Sequence, residues 1–531
     1  MPTQTSSSRK WLFVLLIVFV FLAAGAGYLA WRTQNLDEGV REWMVEAISD
    51  RFDSQVELGA VHVSIFPRPS ITGENLTIHF DGRTDVPPLI HVDKFSFRAS
   101  FLELLVLPRR VHHAQVENMT ITIPPHGQKK AASPDSGKPK KSVARIVIDE
   151  VDCKNTVLIT LPKPPAAGEK PKEPLEWDLH DLELRSASVE KPFSFHATLT
   201  NAKPKGEINT RGEFGPWDVE EPGSSPVSGS YTFTNADLGP FPGIAGILSS
   251  TGKFNGRLSE LQAEGETDTP DFSLDEVGKP VPLHTEYSAT VDGTNGNTVL
   301  HPVRATLVHS VFVAKGEVIR IPEKGHQITL DVHSEKARIE DVLRLATKAD
   351  KPFLTGALEV TTKLLIRPGK EKVLDKLQLD GDFSVTDGQW SSEEVRDKLK
   401  SFSQHAEGQP GNEDAGSAVS DFQGHYHLED GVVTFKYLTF SVPGAAIFLN
   451  GTYKLRGEEL NFSGTVRLKA KVSQMVTGKK SFFLKAVDPF LSKGGAGTQL
   501  PITISGTRDQ PVIGVMMFHK KIEKKMGTSP Q

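Results

Sequence analysis

The chain has 531 residues, 38% of them hydrophobic, with a formal net charge of −5 and a pI near 6.4. That composition belongs to a folded protein, long enough for several domains or one extended repetitive one, and it gives no global basic footprint for nucleic acid. The single cysteine, Cys153, excludes an intrachain disulfide and a cysteine-based metal site, and Phe outnumbers Tyr 29 to 6, so most aromatic surface has no polar handle.

A short tail, residues 1–10, precedes Trp11 to Trp31, whose 21 residues carry no charge. As a helix rising about 1.5 Å per residue, this stretch crosses a hydrocarbon core of roughly 30 Å. Trp11, Leu15, Phe19, Leu22 and Trp31 are the expected membrane-anchor positions, with a Trp at each interface. The competing reading is a signal peptide cleaved after Ala26. The apolar run continues through Tyr28 and Leu29 and favours a retained anchor. Arg9 and Lys10 before the segment and Arg32 and Arg41 after it hardly separate the two orientations.

Leu36 to Phe52 reads as an amphipathic helix, with Val40, Met44, Ile48 and Phe52 four apart and acidic residues in its first turns. Period-two alternation then begins: Val61, Val63 and Ile65; Leu76, Ile78 and Phe80; Ile90 and Val92; Phe95, Phe97 and Phe101; Met119, Ile121 and Ile123. Residues 32–123 form a first β region, with a short helical turn near Leu102 to Pro108. Two Pro- and Lys-rich segments, 124–142 and 162–174, have almost nothing to bury and are expected as disordered loops.

Strand patterning fills 143–375 and 376–515, ahead of a tail at 516–531. Asn255-Gly256, Asp292-Gly293, Asn295-Gly296, Asp380-Gly381, Asp387-Gly388, Asp430-Gly431 and Asn450-Gly451 read as hairpin turns, which makes neighbouring strands antiparallel. Helical spacing returns at Gly243 to Leu248, Ala337 to Ala349, Ser391 to Phe402 with a Ser391 and Glu394 capping box, and Ser481 to Leu491. A third polar loop is expected at 404–418.

The fold class expected is mainly β: a long, curled antiparallel meander forming an open trough, with one N-terminal transmembrane helix and a few short helices. About 25 strands at roughly 4.8 Å make a sheet too long to stay flat. No phosphate-binding loop, nucleophile elbow or zinc-protease motif is present, and adjacent His112 and His113 face opposite ways on a strand. The segment from Asp292 to Asn297 has a calcium-loop flavour with a misplaced glycine and reads better as a turn. No enzyme, cofactor or metal site is expected.

VHVSIFPRPSITGENLTIHF, from Val61 to Phe80, with LIHVDKFSFRASFLELL and VENMTITI after it, resembles the N-terminal region of the AsmA family. KGGAGTQLPITISGTRDQPVIGV, from Lys493 to Val515, is similar to that family's C-terminal strand and turn. The resemblance covers about residues 10–125 and 375–515. It implies a bacterial inner-membrane protein with a cytoplasmic N-terminus and a periplasmic body, related to bridge-like lipid transfer proteins, whose β-groove shields phospholipid acyl chains between inner and outer membrane. The expected function is therefore non-enzymatic lipid handling, with phospholipid, the inner membrane and an outer-membrane or periplasmic protein as partners. A scaffold for outer-membrane protein and lipopolysaccharide assembly is the alternative. Phe95, Phe97, Phe101, Phe193, Phe195, Phe435, Phe440 and Phe448 are the candidate groove-lining residues.

Overall fold

The computed structural model describes residues 37–525 except 53, 65–69, 81–85, 99–108, 126–145, 163–173, 189, 203, 219, 275–277, 349–350, 411–418, 472–473, 475–496, 509 and 518–519. The anchor stretch Trp11 to Trp31, Phe101, the turn near Pro108, most of the loops at 124–142 and 162–174, and the helix expected at Ser481 to Leu491 lie outside the described residues. Among the described residues, no helix is long and apolar enough to cross a membrane.

Helix α1 occupies 37–52. Val56–Glu57 (β1) and Val61–Ser64 (β2) both pair with Ser70–Ile78 (β3). Each further strand then adds to the one before: Ile90–Arg98 (β4), Arg109–Ile123 (β5), Ile146–Thr160 (β6), Leu175–Ala187 (β7), Phe193–Ala202 (β8), Lys205–Phe214 (β9) and Pro226–Asp237 (β10). Ile244–Ala245 (β11) and Ile247–Arg257 (β12) share one lane beside Glu260–Leu274 (β13). The run continues with Val281–Val291 (β14), Thr298–Leu307 (β15), Ser310–Ile321 (β16), Gly325–Arg338 (β17), Leu354–Ile366 (β18) and Leu377–Trp390 (β19). It ends with Val419–Glu429 (β20), Val432–Val442 (β21), Ala445–Lys454 (β22), Glu459–Leu468 (β23), Thr498–Thr507 (β24), Pro511–Met517 (β25) and Lys520–Lys525 (β26). Helices Ile339–Ala346 (α2), Val373–Lys376 (α3) and Glu393–Ala406 (α4) sit in the connections.

The product is one mainly antiparallel sheet curled into an open half-barrel. It also coils. Thr160 Oγ1, at the end of β6, donates to the Gly293 carbonyl in the β14–β15 turn at 3.2 Å, and Val373 N, between β18 and β19, donates to the Pro242 carbonyl in the β10–β12 turn at 2.7 Å. In both contacts, one edge of the ribbon meets its opposite edge several strands later.

Several expectations change. β5 and β6 pair in parallel, because the connection between Ile123 and Ile146 is long enough to run back the length of a strand, whereas a two-residue hairpin is not. Gly243 to Leu248 is strand, not helix: Gly243 and Gly246 have φ of 96° and 136°, outside the right-handed helical region. α2 lies where helical spacing placed it. α4 is capped by Ser392, which accepts from Val395 N, while Ser391 Oγ instead bonds the Pro352 carbonyl; the helix runs on to Ala406, into the segment expected as loop. Position 375/376 falls within α3, inside an unbroken run of paired strands. Asp292-Gly293 and Asp430-Gly431 do make turns, but Asn255-Gly256, Asp380-Gly381, Asp387-Gly388 and Asn450-Gly451 lie within strands.

Asn75, Asn118 and Asn155, on β3, β5 and β6, have φ of 53°, 54° and 53°. Asn118 Nδ2 donates to Asp93 Oδ2 at 3.0 Å, and Asn155 Nδ2 to Asn118 Oδ1 at 3.3 Å. Pairing stays one-to-one across this row of left-handed kinks, but strand parity shifts by one residue at it, so Ile90 and Val92 share a cluster with Phe95 and Phe97 despite the odd spacing. Asn tolerates the left-handed conformation better than most residues.

Candidate functional site

Alternation gives the sheet two chemically distinct faces, and the apolar one is the candidate site. Its coverage varies along the ribbon. Over β3 to β8 it is a packed core: Val40, Trp43 and Met44 of α1 join Val92, Ala114, Val151 and Leu182 in one cluster. Cys153 lies there at 2% exposure, and burial pushes its thiol up to about 12, so it stays protonated and unreactive. At the far end, Leu399 and Phe402 of α4 pack against Val442, Val466 and Ile502. Ile339 and Val342 of α2 add a third cover, packing with Phe312 of β16, Ala337 at the end of β17 and Leu358 of β18. Elsewhere from β9 to β17, most apolar-face side chains are half-buried while their neighbours on the other face are exposed. Tyr231, Phe254, Ala263, Leu330 and Val332 are typical.

The floor of this face is built from aromatic rings lying over glycines of the adjacent strand. Phe95 pairs with Gly73, Phe195 with Gly212, Phe254 with Gly229, Tyr231 with Gly252, Tyr287 with Gly265, Phe383 with Gly424, and Phe435 and Phe462 with Gly451. A Cβ on Gly73 would sit 2.2 Å from Phe95 Cζ, and one on Gly229 2.8 Å from Phe254 Cζ. The glycines thus make room for the rings, an arrangement that also supports strong sheet curvature. It explains why glycine pairs such as Asn450-Gly451 occur mid-strand.

Of the expected lining residues, Phe95 and Phe97 stack at 6.4 Å inside the packed core beneath α1. Phe195 belongs to the rim of that core, and Phe193 contacts Phe214 at 5.5 Å near the β9–β10 turn. Phe435 and Phe440 share the apolar face with Phe383, Phe422 and Phe462, joined by ring contacts of 6.3 Å (Phe383–Phe435), 5.8 Å (Phe435–Phe462) and 4.8 Å (Phe422–Phe440). Phe448 is on the other face: its strand neighbours Ile447 and Leu449 join the cluster under α4, while Phe448 is 39% exposed beneath Arg467. Residues not singled out by sequence, Tyr231, Phe254, Tyr287, Phe383 and Phe462, carry much of the floor. Only their alternation marked them.

The polar face holds a shallow cavity of about 1160 Å³ over β7 to β15, with Glu183, Arg185, Arg211, Lys253, Glu264 and Arg304 along it. The charges alternate in sign and several neutralise one another, as in Arg185–Glu183 and Arg304–Glu335, so this is a solvated face without net attraction for one ion type. His112 and His113 each bond an aspartate of β6, Asp149 and Asp152, both at 2.9 Å. In the β14–β15 turn, Asp292 accepts from Thr294 and Asn295 of its own loop. Among the described residues, no three His, Cys, Asp or Glu side chains converge as metal ligands would.

Set against known proteins, the chain matches no family model, no curated protein and no solved structure.

Proposed function

We propose that this protein handles lipid without catalysing a reaction, holding acyl chains on the apolar face between β9 and β17, which is uncovered except where α2 packs on Phe312 and Ala337. The observation that carries the reading is the half-buried state of that face along a curled sheet whose opposite face is charged. Apolar surface left accessible in this way calls for a ligand or partner. At about 4.8 Å per lane, the stretch runs about 34 Å, more than twice the roughly 15 Å reach of one leaflet's chains in a 30 Å core. Each methylene moved from water onto it contributes about 0.8 kcal/mol, while headgroups stay in solvent.

The AsmA resemblance and the charge-free stretch Trp11 to Trp31 support an inner-membrane anchor, a periplasmic body and phospholipid as the cargo. Because the face under α1 is a packed core, entry at the N-terminal end requires α1 to move, and loading through the open middle is the simpler path. The test is to purify the full chain in detergent, exchange the detergent, and identify retained lipid by mass spectrometry. Stoichiometric phospholipid is expected. Its absence, with no uptake of labelled phospholipid from vesicles, overturns the reading.

A second reading, a scaffold for outer-membrane assembly, is favoured by one of the sheet's two edges. The first is blunted by α1, where Asp37 Oδ1 accepts from Val63 N at 2.8 Å and Arg41 donates to the Leu58 carbonyl at 3.3 Å. The last strand, β26, has no outer partner among the described residues and is open to another chain's strand.

A further inference from the structure

The apolar face of the uncovered stretch contains one polar knot. Tyr231 and Tyr287 reach towards each other from β10 and β14, over Gly252 and Gly265 of the two intervening lanes, and their phenol oxygens are hydrogen-bonded to each other. Tyr231 also bonds Ser250 Oγ at 3.0 Å, and Ser250 Oγ donates to the Glu266 carbonyl at 2.9 Å. The ring ends lie directly on the glycines, with Tyr231 Oη 3.0 Å from a Cβ placed on Gly252 and Tyr287 Oη 2.8 Å from one on Gly265. Any larger residue in either lane would close this bridge.

The surroundings define what the knot can bind. By strand register, the side chains flanking it on the same face are Phe233, Thr267 and Thr285 on one side and Phe254, Ala263 and Ala289 on the other, none of them charged. The cations and carboxylates of these strands, such as Lys253 and Glu264, alternate onto the opposite face. Burial and the bond to Tyr231 raise the Tyr287 phenol above its ordinary range, so it is protonated and neutral. A free carboxylate or phosphate would find no countercharge here and is disfavoured by desolvation.

The three hydroxyl hydrogens have three internal acceptors: the Glu266 carbonyl, the Ser250 oxygen and one phenol oxygen. A ligand acceptor is satisfied when one phenol turns its hydrogen from the other phenol to the newcomer. That exchange keeps every hydrogen bonded, which a buried polar cluster requires. A neutral carbonyl arriving with an apolar chain on either side fits this demand.

We propose that Tyr231, Tyr287 and Ser250 form a binding site for the ester carbonyl of a glycerolipid acyl chain lying on the apolar face. The site fixes the chain's register by gripping its one polar joint, while Phe254 and Phe233 contact the methylenes beside it. The assignment rests on the acyl-chain reading of the trough, and the test separates the two.

The full chain is offered vesicles containing equal amounts of diester and diether phosphatidylcholine with identical chain lengths, which differ only in the two carbonyls. Bound lipid is then counted by mass spectrometry. The native protein is expected to enrich the diester about fivefold, the worth of one net hydrogen bond. The double variant Tyr231→Phe, Tyr287→Phe keeps both rings over their glycines and is expected to take the two lipids equally; Ser250→Ala, which leaves both phenols in place, is expected to reduce the preference by less. Equal uptake by the native protein, or a preference that survives in the double variant, overturns the site while leaving the trough reading intact. Uptake of neither lipid overturns the trough reading as well. A purely structural cross-brace would lower the melting temperature of the double variant without changing the ratio.

Discussion

Adding one methyl group at Gly73 tests how the apolar floor is built. In Gly73→Ala, the new Cβ falls 2.2, 2.6 and 2.9 Å from three ring carbons of Phe95, and that ring is 8% exposed in the core under α1. It has no solvent to swing into. Overpacking of this kind costs about 1–3 kcal/mol, and the loss of unfolded-chain freedom from Gly to Ala returns about 0.4–1 kcal/mol, leaving a net loss of about 1–2 kcal/mol. Gly39, exposed in α1 with nothing within 4 Å of its Cβ position, supplies the control. Gly39→Ala gains about 0.5–1 kcal/mol from helix propensity alone, so the two identical chemical changes should have opposite signs. Urea midpoints of the full-length variants, with hydrogen exchange followed over residues 70–98, measure both. Pairing Gly73→Ala with Phe95→Leu removes the obstructing ring, and the double variant should lose less than the sum of the singles. A neutral Gly73→Ala, or strict additivity with Phe95→Leu, would refute the ring-over-glycine account of the floor.

Cys153 should resist thiol reagents in the native protein and react fully in urea, since burial holds its thiol protonated. Because its folded pKa of about 12 lies above the 9.0 of an exposed thiol, its stabilisation is complete below pH 9 and declines by about 1.4 kcal/mol per unit as pH rises towards 12. The difference in stability between native protein and Cys153→Ala, followed by urea titration across that window, should shrink accordingly; a constant difference would contradict the burial. Asp341, 1% exposed, accepts from His309 N at 3.1 Å and Ser310 Oγ at 2.8 Å and so pins α2 to the β15–β16 turn. Asp341→Ala leaves the buried Ser310 hydroxyl with only the long contact to the Arg338 carbonyl at 3.5 Å, at a cost of about 1–3 kcal/mol, with faster hydrogen exchange expected across Ile339–Ala346.

Much of the architecture was legible because period two is a strong signal. Sets such as Val61 and Val63, or Phe435 with its neighbours, place a strand face without any tertiary information, and the four-residue spacing of Val40 and Met44 did the same for α1. The left-handed kinks were not legible. Asn118 in a left-handed conformation reads as a break between two strands, although its neighbours' bonds carry one strand straight through it. Mid-strand Asp380-Gly381 and Asn450-Gly451 look like turns because the local chemistry is the same; only the ring on the adjacent strand distinguishes them. Phe448 shows the limit of parity, which orders residues within one strand but does not say which of two faces turns inward. Tyr231 and Tyr287 are 56 residues apart, and register over three strand pairings brings them together.

The most direct test of the lipid reading compares the two faces residue by residue. With a photo-reactive benzoylphenylalanine in place of Phe254, Ala263 or Leu330 on the apolar face, irradiation in cells should yield lipid adducts detectable by mass spectrometry. The same group at Lys253, Glu264 or Thr329, each one residue away on the exposed face, should yield none. Adducts that ignore this alternation, or that form only at the exposed positions, would contradict a trough that carries acyl chains.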